Sequence, residues 1–192
     1  MKATTRKIAA ACACAAMLLA GCGDDNQPAL EPDHAHGPPV DVPAPELPPL
    51  PAPFENVDQY SPEAVMEAAV ETMFSWRPAT DASPADAAQR ARPLMEQRYY
   101  ERAHSGFLVL APVIGSEWDR WKSEDATDTR VEVEVTSDRH TPDQQATHAR
   151  VLVVTADVVN DEGDTVGTKK FTVYASVSLM GVWRLSDLSV QP

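Results

Sequence analysis

The fold is decided by residues 166–190, which read VGTKKFTVYASVSLMGVWRLSDLSV. Apolar side chains occupy every second position of the first part: Phe171, Val173, Ala175, Val177 and Leu179. This period of two is typical of a β-strand with one buried face. Met180-Gly181 then predicts a turn into a last strand over 182–190. Because the turn is so short, the two strands must run antiparallel.

Two more strands precede this pair. In residues 131–136 valine alternates with glutamate or threonine, which predicts a half-buried strand. Residues 149–159 are rich in Val and Thr, and the turn signal Asn160-Asp161-Glu162-Gly163-Asp164 follows them. The four strands are therefore expected to form an antiparallel meander.

Helix signals lie upstream of the strands. Ser61-Pro62-Glu63 combines an N-cap, a proline suited to the first helical position and an acid in the first turn. An apolar face then recurs at spacings of three and four residues: Val65, Met66, Ala69, Val70, Met73, Phe74 and Trp76. Arg77-Pro78 ends this helix.

Two shorter helices are expected next. Ser83, with Asp86 three residues later, forms a capping-box pattern that opens a helix through Ala91. Pro93 suits the first position of a third helix, which would carry Leu94, Met95, Arg98 and Tyr99.

An irregular connector, residues 107–121, leads from the helices to the strands and ends with Trp118 and Trp121 on one side of a single turn. Helices thus precede strands instead of alternating with them. The predicted fold class is α+β, with N-terminal helices packed on one face of a curved four-stranded antiparallel sheet. One domain, residues 60–192, would hold all of it.

The N-terminus reads as a signal peptide over residues 1–21. Its positive charges, at Lys2, Arg6 and Lys7, precede an uncharged run over 8–20. That run is shorter than the roughly 20 residues a membrane-spanning helix needs. Leu19-Ala20-Gly21-Cys22 resembles the bacterial lipobox. The resemblance implies cleavage before Cys22, a diacylglycerol on its thiol, and a chain anchored in the lipid bilayer of the cell membrane and facing its extracytoplasmic side. The alternative is an ordinary secretory signal with an incidental cysteine.

Residues 22–59 are predicted to be the lipidated cysteine and a tether. Ten of the residues from 28 to 53 are proline, and residues 23–59 carry eight acids and no Lys or Arg. Such a segment favours extended polyproline II and suits a spacer. Asp33-His34-Ala35-His36 has metal-ligating side chains, but two histidines on a flexible spacer offer no preformed site, so no metal is expected.

The charge excludes one class of partner. Removal of the signal peptide takes away three basic residues and no acid, which changes the formal net charge from −13 to −16. No run of Lys and Arg remains to neutralise phosphates, so nucleic-acid binding is not expected.

Catalytic motifs are not found in the sequence, and neither an enzyme activity nor a cofactor is expected. Asp157 and Tyr174, on neighbouring predicted strands, are the one pair that resembles the Asp base and Tyr donor of an isomerase site.

A binding pocket is the stronger candidate. We expect the aromatic side chains to converge between the sheet and the first helices, either as a ligand pocket or as plain core: Trp76, Tyr99, Trp118, Trp121, Phe171, Tyr174 and Trp183.

The order of elements over residues 60–191 resembles the nuclear-transport-factor-2-like cone. Within it the chain more nearly resembles the bacterial extracytoplasmic branch, which includes bridging domains of type IV secretion and conjugation systems and proteins associated with mammalian-cell-entry (Mce) lipid transporters. The residues that carry it are Phe74-Ser75-Trp76-Arg77, the stretches 81–91 and 118–121, and Gly181-Val182-Trp183-Arg184. Those relatives commonly have a transmembrane helix, where this chain has a lipobox and a tether.

Three functions are therefore considered, in order of preference. The first is a non-catalytic accessory or docking subunit of an envelope transport or secretion complex. The second is a lipoprotein that binds a small apolar ligand in an open cavity lined by Trp76 and Trp183. The third is an isomerase-like enzyme, which requires Asp157 and Tyr174 to share a cavity.

Overall fold

The computed structural model describes residues 49–191, and its class is α+β, as predicted. Five helices come first: α1 Pro62–Phe74, α2 Ala85–Arg90, α3 Gln97–Ala103, α4 Phe107–Leu110 and α5 Gly115–Ser123. Four strands follow: β1 Ala126–Val135, β2 Thr147–Asn160, β3 Thr165–Leu179 and β4 Trp183–Gln191. They form one open antiparallel sheet in the order β1-β2-β3-β4, which confirms the predicted meander.

The two tight turns of the meander depend on glycine. Gly163, between β2 and β3, has φ 87°, and Gly181, between β3 and β4, has φ 83°. Side chains with a Cβ rarely adopt this left-handed region, so glycine is the residue that suits both turns. Each of the three ladders also contains a register shift, and such irregularities bend and twist a strand.

The core lies between α1 and the inner face of the sheet. Helix α1 packs against β1, β3 and β4 and buries its predicted apolar face. The inner faces of the central strands are also buried: Leu152, Val154, Ala156 and Val158 on β2, and Phe171, Val173, Ala175 and Val177 on β3. The predicted N-cap of α1 is confirmed, because the Ser61 hydroxyl accepts a hydrogen bond from the Ala64 amide at 3.2 Å.

Two details of the predicted helices are wrong. Ser83 does not cap α2 with its side chain; instead, the Asp86 carboxylate accepts from the Ala82 amide at 2.7 Å. The helix expected from Pro93 is divided into a 3₁₀ turn, an extended Met95 and α3. The division occurs because Met95 forms a β-bridge with Leu185 and the Glu96 amide donates to the Leu185 carbonyl at 2.8 Å. Tertiary pairing with β4 thus overrides the local helix signal.

The folded domain includes residues that the sequence assigned to the tether. Leu50 and Phe54 are buried within the core cluster, and Val57 packs against it. Residues 49–59 are therefore part of the domain. The lipobox, Cys22 and Asp33-His34-Ala35-His36 lie outside the described residues. Within residues 49–191, no helix is both long enough and apolar enough to cross a membrane.

Candidate functional site

Three of the predicted pocket residues pack directly against one another. The Trp76 and Trp121 rings stack with centroids 6.0 Å apart, and Trp118 meets Trp121 edge-on at 6.2 Å. Phe74 joins them, 6.0 Å from Trp76, and also meets Phe171 of β3 edge-on at 4.7 Å. All five rings are buried, so this aromatic cluster is filled core between α1, α5 and the sheet.

Gly167 on β3 sets how closely this cluster approaches the sheet. A Cβ built on Gly167 would lie 2.4 Å from the Trp121 Nε1 atom and 2.9 Å from its Cε2 atom. The Trp121 ring therefore occupies the space that any other side chain at position 167 would need. A glycine inside a strand is a known sign of close approach, but the sequence alone does not predict that Trp121 is the neighbour.

Packing of the rings, and not hydrogen bonding by the indole N–H groups, holds the aromatic cluster together. The indole N–H groups of Trp76, Trp118 and Trp121 are buried, and none has a hydrogen-bond partner within the described part of the chain. Buried donors without partners cost free energy, which the apolar area of the rings must offset. The cluster thus has the character of structural core.

Tyr99 and Trp183 lie away from the aromatic cluster. Tyr99 is buried on α3 beside Arg102 and Asp187, and its burial, together with the Asp187 charge, raises the pKa of Tyr99 to about 12. Trp183 begins β4, where its ring meets His148 edge-on at 4.8 Å and its amide donates to the Gln59 carbonyl. These two residues contribute to separate parts of the core.

The prediction that Tyr174 lies between the sheet and the first helices is wrong. It alternates with buried Val173 and Ala175 on β3, so its ring points away from the helices and is 41 % exposed. Its hydroxyl lies 3.4 Å from the Gln191 side-chain oxygen on β4. Tyr174 therefore belongs to the outer face of the sheet, and the expected convergence of seven aromatic residues does not occur.

Asp157 and Tyr174 do not share a cavity. Asp157 pairs with Thr168, whose hydroxyl donates to the Asp157 carboxylate at 2.6 Å, whereas Tyr174 pairs with Val151. Six residues along β2 separate these positions, which corresponds to about 20 Å. The isomerase-like hypothesis depended on this pair and is not carried further.

Several shallow grooves mark the surface of the domain. One groove, of about 430 Å³, lies between residues 53–57 and the C-terminal half of α1, and Arg77 and Arg90 also line it. Three smaller grooves have volumes of about 380, 280 and 190 Å³. None of these four is lined by Trp76, Trp118, Trp121 or Trp183.

One carboxylate, that of Asp81, is nearly buried beside the groove that Arg77 and Arg90 line. Asp81 is 7 % exposed, and its carboxylate accepts two hydrogen bonds from Arg90, at 2.6 and 3.1 Å. The Arg77 amide donates to the same carboxylate at 2.9 Å, and Arg90 also reaches the Ser75 carbonyl. This network ties the loop after α1 to α2, which identifies Arg90 as a structural residue.

The most exposed apolar feature of residues 49–191 is α4 together with the residues that join it to α5. We call residues 107–114 the apolar connector; Leu108, Val109 and Ile114 are 53 %, 87 % and 64 % exposed, whereas Phe107 is buried. No charged residue occurs between positions 105 and 116. Several exposed apolar side chains on one short segment are typical of an interaction site. The prediction of an irregular connector over residues 107–121 is wrong, because α4 and α5 occupy most of that stretch. The unbroken apolar composition of residues 107–114 is the sequence signal for this exposed surface.

The C-terminal end of the apolar connector is held in place by α5. The Glu117 carboxylate accepts from the Ile114 amide at 3.2 Å, and Lys169 of β3 donates to both Glu117 oxygens at 2.7 Å. The hydrogen bond from Lys169 is the main cause that lowers the pKa of Glu117. The connector is thus presented on a fixed base, with buried Phe107 at one end and this ion pair at the other.

Metal-binding side chains do not cluster in residues 49–191, where no group of three or more His, Cys, Asp or Glu residues could hold an ion. Comparison with known proteins adds no family: no protein-family model, no curated protein and no solved structure matches this chain.

Proposed function

We propose that this protein is a lipid-anchored extracytoplasmic lipoprotein that acts as a non-catalytic docking subunit of a cell-envelope transport or secretion complex. The observation that carries the proposal is the apolar connector, in which Val109 is 87 % exposed. Covering uncharged branched side chains that are exposed to water lowers the free energy, so such a surface favours binding of a partner. The partner we propose is an envelope protein with an apolar groove.

The filled interior supports docking over ligand binding. The ligand-binding alternative depended on an open cavity lined by Trp76 and Trp183, but Trp76 packs against Trp121 and Trp183 packs against His148. No observation on the described residues favours a small apolar ligand, which becomes an outcome of the experiment below.

The cone-like fold family is part of the same proposal. Helices that precede an open antiparallel meander, together with register shifts that bend its strands, support the nuclear-transport-factor-2-like architecture and its extracytoplasmic branch. Partners of that branch, secretion bridges and Mce-type lipid transporters, are accordingly the complexes in which we expect this subunit.

The lipid anchor and tether complete the proposal. Seven of the residues from 23 to 48 are proline. At about 3.1 Å per residue this segment reaches about 80 Å when extended and about 30 Å as a flexible coil. The described domain can thereby reach a partner well away from the bilayer surface while Cys22 stays in the membrane.

Replacement of Val109 by aspartate should remove docking without affecting the fold. Full-length tagged chain is captured from its own membranes in gentle detergent, and the retained proteins are identified by mass spectrometry. We expect the unsubstituted chain to retain transporter or secretion subunits. Val109→Asp should lower their recovery by about 30-fold, the effect of a residue worth about 2 kcal/mol at an interface.

The matched control is Met180→Asp, which places the same charge at another exposed apolar residue, 63 % exposed in the β3–β4 turn. Its recovery of the complex should equal that of the unsubstituted chain. If the chain is captured alone, or if both variants behave alike, docking through the apolar connector is contradicted, and a bound small molecule is sought in the captured protein.

Replacement of Cys22 by serine should release the protein from the membrane. Lipid chains contribute about 0.8 kcal/mol per buried CH₂, and a serine hydroxyl does not receive the diacylglycerol. In fractionated cells we expect the unsubstituted chain to be bound to membranes and labelled by a fatty-acid probe. The Cys22→Ser variant should be neither bound to membranes nor labelled by the probe. An unlabelled unsubstituted chain would instead indicate an ordinary secretory signal.

A further inference from the structure

We propose that two copies of this chain pair through the outer edge of β1, antiparallel and about a twofold axis at Glu132, which joins their sheets into one. In the described part of the chain β1 has a strand neighbour on one side alone, namely β2. The other edge of the sheet is partly covered, because Met95 and Glu96 pair with Leu185 of β4. The β1 edge is the candidate for further pairing.

The backbone of β1 presents a regular set of hydrogen-bonding groups at this edge. The Thr136 amide donates to the Val151 carbonyl at 2.9 Å, one residue beyond the pair Val135↔Leu152. Residues of an antiparallel strand alternate between bonding to one neighbour and to the other. The N–H and C=O groups of Val131, Val133 and Val135 therefore point outward, where a second strand can bond to them.

The side chains of β1 suit a partner that has the same pattern. Val131 and Val133 are half-buried on the inner face, and Val135 remains 36 % exposed there. Arg130, Glu132 and Glu134 are exposed on the outer face. A second β1 strand would cover the half-buried valines with valines and would place charged side chains opposite charged side chains.

An axis at Glu132 matches these charges. It pairs Arg130 with Glu134 of the second copy, twice by symmetry, and Val131 with Val133 of the second copy. Opposite charges directly across an antiparallel pair are stabilising, whereas the single Glu132 pair on the axis is repulsive. In one copy the Arg130 guanidinium reaches the Gly163 carbonyl at 3.5 Å, a long contact that it can exchange for the Glu134 carboxylate.

A second copy fits this edge better than the chain's own tether does. Residues 129–135 contain neither proline nor lysine, and the register shift of β1 lies outside them, between Ala126 and Asp128. This stretch thus lacks three of the devices that block strand addition, namely proline, lysine and a bulge, and the charges that it does carry are matched by the proposed register. Seven prolines among residues 23–48 cannot donate to a ladder, so the tether is a poor strand for this position.

Disulfide trapping tests the proposed register in the full-length chain. Each single variant is oxidised with copper phenanthroline in its own membranes, which converts two neighbouring thiols to one disulfide, and dimers are counted on a non-reducing gel. Glu132→Cys faces itself across the axis. The controls Arg130→Cys and Glu134→Cys each lie about 13 Å from their own counterparts, beyond disulfide reach. The unsubstituted chain reports any dimer formed through Cys22.

We expect Glu132→Cys to give at least about tenfold more dimer than either control. Adding Arg130→Glu should reduce that yield, and adding Glu134→Arg as well should restore it, because the reversed charges attract again. A Glu132→Cys yield equal to the controls overturns the proposal. A dimer yield that stays the same when the charges are reversed also overturns it. A thermal melt of each variant serves as the control that it is folded.

Discussion

Replacement of Gly167 by alanine is expected to lower the free energy of unfolding by about 3 kcal/mol, the upper range for an overpacked core. The added methyl group would lie 2.4 Å from Trp121 Nε1, closer than two such atoms can approach. Because the Trp121 ring is itself enclosed by Trp76 and Trp118, it has little room to retreat. Urea unfolding followed by tryptophan fluorescence measures the loss.

The matched control for this variant is Gly115→Ala. Gly115 begins α5, and a Cβ there meets no atom within 4 Å. We expect a change of no more than about 0.5 kcal/mol, in the stabilising direction because alanine favours the helix. The double variant Gly167→Ala/Trp121→Phe should lose less than the two single variants together, since the smaller ring leaves space for the methyl group. Equal effects at Gly167 and Gly115 would contradict the close packing.

Replacement of Asp81 by alanine is expected to lower the free energy of unfolding by about 3 kcal/mol. The change removes two hydrogen bonds to Arg90 and one to the Arg77 amide, and it leaves the Arg90 guanidinium without its counter-ion. The Arg90 side chain is 30 % exposed, so hydration of its guanidinium offsets part of the lost stability. We therefore expect a loss at the lower end of the range for breaking a buried ion pair.

Glu124→Ala is the control for Asp81→Ala. Glu124 accepts from Arg120 at 2.9 Å in an exposed pair one helical turn apart. Such pairs contribute about 0.5 kcal/mol or less. In a double-mutant cycle, the variant with both Asp81→Ala and Arg90→Met should lose much less free energy of unfolding than the two single variants lose in sum. Additive losses, or a loss at Asp81 as small as that at Glu124, would show that the network does not stabilise the loop.

The strands and α1 could be predicted because their signals are local. Period-two alternation in β3 and the Ser61-Pro62-Glu63 start of α1 are each fixed by a few adjacent residues, and the structure places both as expected. Where a distant strand competes, local signals fail: Met95 leaves the predicted helix because Leu185 of β4 offers a bridge.

Side-chain partners were harder to predict than elements. Trp118 and Trp121 could be assigned to one helical face from their spacing, but the contact with Gly167 depends on how α5 lies on the sheet, which no local pattern encodes. Aromatic character alone predicts burial of Tyr174, but its position between buried Val173 and Ala175 places it on the opposite, exposed face of β3. Leu50 and Phe54 lie in the core, but the proline-rich composition of the segment around them predicts a spacer.

The central claim is that the apolar connector docks on an envelope complex, and photo-cross-linking in intact cells tests it most directly. A benzophenone amino acid replaces Val109 in one full-length chain and Met180 in another. We predict a discrete adduct from position 109, with a subunit of a transport or secretion complex, that is not formed from position 180. Identical adducts from both positions, or none from position 109, would contradict the claim.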